Sequence, residues 1–112
     1  MGSVAAEVTD LVTNKAAEGL KLLLEKKMPG DVWERLGHAA TDAEGKVAGL
    51  VQAPMLDTGG YRLTLASGEW YRDNERAARF PYITVLFEVL VPFEDVMVRV
   101  ELGANSYTVG LS

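Results

Sequence analysis

Cysteine is absent from this 112-residue chain, and histidine occurs once, at position 38. The first absence excludes disulfide staples, thiolate nucleophiles and cysteine-ligated metal centres, and it leaves the redox compartment unread. The second leaves a single imidazole for any chemistry that exchanges protons near neutral pH. Aromatics are few (two Trp, three Phe, four Tyr), so aliphatic side chains must fill the core; a 48% hydrophobic composition permits that for one domain spanning 1–112. No run reaches the roughly 18 apolar residues of a membrane helix. Charges of both signs are mixed along a chain of net charge −5, without the Lys/Arg clustering that nucleic acid demands. Met1 to Ala6 lacks the basic region and apolar stretch of a secretory signal, and residues 1–4 read as an appended, loosely ordered start. The expectation is a soluble protein without membrane or nucleic-acid partners, cytoplasmic if expressed natively.

What is present is mostly alternation. Tyr82 to Val91 is a ten-residue run of β-branched, aromatic and aliphatic character, expected to be buried. Pro92-Phe93-Glu94-Asp95 breaks it, and Val96, Val98, Val100 and Leu102 then alternate with Met97, Arg99 and Glu101. This predicts two strands joined by a short turn. Residues 15–28 are rich in helix formers, yet a strand from about Leu20 to Lys26 fits the spacing of Leu20, Leu22 and Leu24 equally well. The neighbouring segments favour the strand. Turn signals at Met28-Pro29-Gly30-Asp31, Thr41 to Gly45 and Asp57-Thr58-Gly59-Gly60 bracket short segments, and Tyr61, Leu63 and Leu65 alternate with Arg62 and Thr64, the pattern of a β-sandwich. One helix is predicted, capped by Ser67, with Glu69 in its first turn and a narrow stripe through Trp70, Asn74, Ala77 and Ala78, ended by Pro81. It should be short and mostly exposed. Trp33, Trp70, Tyr61 and Tyr82 are expected in the core or at its rim.

The order of these segments resembles the transthyretin-like family, which includes a hormone carrier and a hydrolase of 5-hydroxyisourate. Val8-Thr9-Asp10 followed by Asn14-Lys15-Ala16-Ala17-Glu18-Gly19-Leu20 resembles the family's first strand and the turn into its second, with Asn14 and Ala16 where Gly and Pro are usual. Trp33 with Thr41 to Lys46, Gly60-Tyr61-Arg62-Leu63, Ser67 to Tyr71, and Phe80-Pro81 with Val85 to Val89 continue the match in order, from Ala6 to about Tyr107. The resemblance implies an all-β, prealbumin-like sandwich of two four-stranded sheets, about eight strands, with a short helix after the fifth. It also implies a dimer through the last two strands, a tetramer of two dimers, and a ligand channel lined by the first, seventh and eighth strands.

The family's functional residues are replaced. Glu7 stands where the hydrolase has a histidine, Lys46 is nearest its arginine, and Met97 lies near its second histidine. In place of a terminal Tyr-Arg-Gly-Ser the chain ends Tyr107-Thr108-Val109-Gly110-Leu111-Ser112. The resemblance assigns hydrolysis to imidazoles that activate water and a guanidinium that holds developing charge. Glu7 would serve as a base only if burial raised its pKa, and Lys46 lacks the fork of an arginine. A substituted hydrolase would therefore rest on Glu7, Lys46, Arg99 and Ser112. Channel positions carried over by the resemblance are Glu7, Thr9, Met97, Arg99, Glu101 and Thr108, with Gly110. Burying so many charges against a symmetry mate is costly unless each is paired, whereas on a wet face Glu7, Arg99 and Glu101 can pair across strands. The expectation is thus a redesigned or heavily diverged, non-catalytic scaffold, a monomer or edge-strand homodimer, with no small-molecule ligand. No cofactor or metal is expected: Asp42, Glu44 and Asp57 miss the EF-hand spacing, and Gly59-Gly60 and Gly103 lack the strand–turn–helix context of a phosphate cradle.

Overall fold

The computed structural model describes residues 3–50, 57–92 and 94–112. The alternating segments become strands. β1 (Ser3–Asp10) buries Val4, Ala6 and Val8, and β8 (Asp95–Leu102) buries Val96, Val98, Val100 and Leu102. The two pair in parallel, Ala6 opposite Val98 and Glu7 opposite Arg99. Short β2 (Lys15–Ala16) and β5 (Lys46–Val47) add to the other side of β1, and β9 (Tyr107–Leu111) adds antiparallel to β8, which completes sheet A. Sheet B is an antiparallel set in the order β4-β3-β6-β7, formed by β3 (Lys21–Met28), β4 (Val32–Ala40), β6 (Gly59–Leu65) and β7 (Ile83–Val89). The inward residues of the two sheets form one core, with Leu22, Leu24, Tyr61, Leu63, Ile83 and Val89 at 2% exposure or less on the sheet B side. Tyr61 and Phe87 stack within it at 5.8 Å.

Within the ambiguous segment 15–28, Lys21–Met28 is a strand because β3 lies between β4 and β6. Ladder pairing on both sides and burial of Leu22 and Leu24 outweigh the helix propensity of Leu, Lys and Glu. A register shift between Leu24 and Glu25 accommodates the remaining strand.

Several expectations are corrected. β7 and β8 are not partners in a hairpin. They belong to different sheets, and the connection between them, whose Phe93 lies outside the described residues, crosses the sandwich. Nor is the run from Tyr82 to Val91 buried throughout. A strand with one face to the core buries alternate residues only, so Ile83, Val85, Phe87 and Val89 point inward while Tyr82, Leu86, Leu90 and Val91 are 60–73% exposed. Tyr82 therefore leaves the expected core set; Trp70 and Tyr61 stay in it, and Trp33 lies half-buried under the Arg62 guanidinium at 4.3 Å.

The helix α1 (Ser67–Asp73) is shorter than predicted, and Ala66 rather than Ser67 is its N-cap. Ser67 is fully buried and donates its hydroxyl to the Phe80 carbonyl at 2.8 Å. Beyond the helix Glu75 takes a left-handed φ of 57°, and Arg76 turns inward to Asp10. Instead of lying exposed, the helix is nailed down by Trp70 Nε1 donating to the Glu18 carbonyl at 2.7 Å and Tyr71 Oη donating to the Gly103 carbonyl at 3.0 Å. The expected loose start does not include Ser3 and Val4, which begin β1, with Val4 fully buried.

Candidate functional site

Register decides which side chains share the outer face of sheet A. Glu7 on β1 is opposite Lys46 on β5 and Arg99 on β8, and Arg99 is opposite Gly110 on β9. The next row runs Thr9, Glu101, Thr108. On the other side of the Glu7 row, Met97 is opposite Ala5, and its backbone exchanges two 3.1 Å hydrogen bonds with Ser112. All the sequence-predicted channel positions therefore fall on one surface, and Glu7, Thr9, Arg99, Glu101, Thr108 and Gly110 line a cleft of about 370 Å³ there.

The local geometry of Lys46 is set by the turn before it. The Asp42 carboxylate accepts from the backbone N–H groups of Glu44 and Lys46, both at 2.9 Å, and these bonds hold its pKa below the ordinary value. Gly45 has φ of 75°, and a Cβ there would collide with the Val8 carbonyl; its own carbonyl accepts from the Val8 N–H at 2.8 Å. The turn is thereby docked on β1, which delivers Lys46 beside Glu7.

Glu7 is the hub. Its Oε2 lies 3.8 Å from Lys46 Nζ, and its Oε1 lies 3.5 Å from Arg99 Nε. Lys46 also approaches Glu44 at 3.9 Å. Arg99 Nη1 donates to the Ser112 hydroxyl, so the terminal serine is anchored rather than loose. Glu101 does not join the Glu7–Arg99 pair; it accepts from the Thr108 hydroxyl at 3.1 Å. The structure thus brings Glu7, Lys46, Arg99 and Ser112 into one contiguous network. It is a wet one, with Glu7 about one-third and Lys46 and Arg99 about half exposed. Exposed pairs of this kind contribute roughly 0.2–1 kcal/mol each.

The lone imidazole is elsewhere. His38 sits exposed on β4, opposite Leu23, on sheet B. The sheet A face offers carboxylates, an ammonium, a guanidinium and hydroxyls, and no imidazole. Asp42 is committed to its turn and Asp57 to the Thr58 N–H, and no group of three metal-binding side chains occurs among the described residues.

One charged pair was missed by sequence reasoning. Asp10, which ends β1 and is 2% exposed, binds the Arg76 guanidinium at 2.7 and 3.4 Å and accepts from Thr13 Oγ1 at 2.8 Å and the Val12 N–H at 3.1 Å. Burial pushes its pKa up, but the hydrogen bonds from Thr13, Arg76 and Val12 outweigh it and hold the carboxyl below its ordinary range. The inward position of Asp10 in the β1 alternation was the available signal; nothing local announced its partner, 66 residues away.

Comparison with known proteins agrees with this architecture. The chain is 26% identical to a 5-hydroxyisourate hydrolase of Salmonella typhimurium over 105 residues, 94% of the chain and 76% of that protein. It is 24% identical to the Mus musculus 5-hydroxyisourate hydrolase over 106 residues, 94% of the chain and 90% of that protein. Among solved structures, sea bream transthyretin in complex with thyroxine superposes with a TM-score of 0.92 at 18% identity, covering 97% of this chain and 93% of that one. The 5-hydroxyisourate hydrolase of Klebsiella pneumoniae superposes with a TM-score of 0.86 at 22% identity, covering 100% and 99%. The family model described as the HIUase/Transthyretin family matches residues 4–109, nearly the whole sequence, and the chain belongs to that family.

Proposed function

We propose that this chain is a non-catalytic, diverged member of its family, a β-sandwich scaffold whose sheet A face stays in water on a monomer or an edge-strand homodimer. One observation carries the reading: the face where a channel would form is filled by a charge network centred on Glu7 and holds no imidazole. Hydrolysis at neutral pH calls for a group that exchanges protons there, and His38 is on the opposite sheet. Stacking this face on a second copy would dehydrate Lys46, Arg99 and Glu101 at a cost on the order of several kcal/mol per ion unless each found a new partner.

A second reading, a hydrolase of 5-hydroxyisourate with substituted residues, draws support from the convergence of Glu7, Lys46, Arg99 and Ser112. In it Glu7 would take the proton from water, and Lys46 and Arg99 would hold the developing oxyanion. Freshly generated 5-hydroxyisourate, followed by its ultraviolet absorbance, separates the two. With the scaffold reading the substrate decays at its spontaneous rate and light scattering reports a monomer or dimer. Turnover well above the spontaneous rate that is lost in Glu7→Gln would refute it.

A further inference from the structure

The outer face of sheet B carries a cleft of about 570 Å³, larger than the one on sheet A. Its construction follows from register. Ala40 lies opposite Lys21, and one row on, His38, Leu23 and Thr64 follow one another across β4, β3 and β6. Ala40, Thr64 and Ala66 are short, so with Leu23 they make a low floor. Taller side chains stand at the two ends: Arg35 and His38 on β4, and Tyr82 just before β7.

The lining is asymmetric in charge. Lys21, Arg35 and His38 are basic, and no carboxylate among the described residues lines the cleft, although the chain carries a net charge of −5. Lys21 is already neutralised by Glu69 at 2.7 Å. Although their backbones pair with β3, the side chains of Arg35 and His38 make no hydrogen bond or ion pair among the described residues, and Tyr82, 67% exposed, makes no ring contact among them. An apolar floor, an uncovered aromatic at one end and, at the other, an uncommitted guanidinium beside an imidazole able to donate an N–H fit an amphipathic anion lying across the strands. From β4 to β7 is three strand spacings, about 14 Å, which leaves room for a body of roughly two fused rings. The volume falls in the ordinary range of small-molecule sites.

We propose that this cleft binds a small aromatic carboxylate, its rings on Leu23 and Tyr82 and its carboxylate turned to Arg35 and His38. The site is separate from the Glu7 network and stands whether or not that face is catalytic.

The test is a titration of the full chain, labelled with nitrogen-15, with 2-naphthoate and with the neutral 2-naphthalenemethanol. Saturable amide shifts are expected at Leu23, His38, Thr64 and Tyr82, with the carboxylate binding at least about tenfold tighter than the alcohol because a charge-assisted contact is added. Arg35→Glu should weaken naphthoate binding by about tenfold or more, and Tyr82→Ser by severalfold. Both side chains are exposed and unpaired, so the variants should keep the parent spectrum. The proposal is overturned by no saturable shift up to millimolar naphthoate, by shifts that map to Glu7, Arg99 and Thr108, by equal affinity for the alcohol, or by an Arg35→Glu variant that binds as the parent does.

Discussion

Replacing Arg76 by methionine tests how the end of β1 is held. The substitution keeps an unbranched stem and removes a guanidinium that grips Asp10 with two nitrogens, at 2.7 and 3.4 Å. Breaking a fully buried pair costs about 3–5 kcal/mol. Here Arg76 is 25% exposed and Asp10 keeps its bonds from Thr13 and Val12, which places the expected loss near the bottom of that range, about 3 kcal/mol. The guanidinium also lies over the rings of Trp70 and Tyr71 at 5.2 and 4.9 Å, contacts that a thioether replaces only in part. Urea unfolding at pH 7 should show the midpoint falling with an unchanged slope, and a thermal midpoint lower by about 12 °C or more. The acid limb gives a second readout. The folded-state pKa of Asp10 is depressed, so its contribution is complete above the ordinary value of 3.8 and is lost as pH falls through the lower folded value. Part of that depression comes from Arg76, so the gap between parent and variant should be widest near neutrality and narrow below about pH 4. A loss under about 1 kcal/mol at pH 7, or a gap that stays constant down to pH 3, would refute the ion-pair account and assign Arg76 to packing alone.

Two further outcomes follow from the same structure. Thr41 is 4% exposed, and its hydroxyl accepts from the Leu20 N–H and donates to the Ala17 carbonyl; Thr41→Val keeps the shape, orphans both backbone groups, and should cost about 2 kcal/mol in chemical denaturation. A neutral result would mean that water replaces the hydroxyl. Arg99→Leu removes a cation from the centre of the sheet A face and adds an apolar side chain worth about 2 kcal/mol per copy if covered by a second molecule. The weight-average mass by light scattering should then climb over a concentration series, and an unchanged mass would count against the picture of charge keeping that face apart.

Much of the architecture was legible because alternation is local. Val96 to Leu102 announced β8 and even its two faces, since side chains at period two must part between core and solvent. The same rule, applied to Thr84, Leu86 and Glu88, carries the signal that β7 exposes one face; the apolar density of the run concealed it. The helix was misjudged for the opposite reason. Its end is marked by Asn74, the C-cap, whose side-chain amide donates to the Trp70 carbonyl at 2.8 Å; counted as part of the helix stripe, that stop was passed over, and Arg76 beyond it reaches a carboxylate far away in sequence.

By itself the sequence determined which residues can do chemistry and which cannot. It has no cysteine and one histidine, and it supplies carboxylates, lysine and arginine at the positions where the family resemblance puts a channel. Tertiary structure alone decided who meets whom. Glu7 finds Lys46 and Arg99 only because β5 and β8 flank β1 in one register, and a shift of a single residue would turn Glu7 into the core. Likewise Arg35, His38 and Tyr82 become the two ends of one cleft only after β3 and β6 have slotted between β4 and β7. Alternation within a strand is written in neighbouring residues, whereas strand order and register are set by the packing of the whole sandwich.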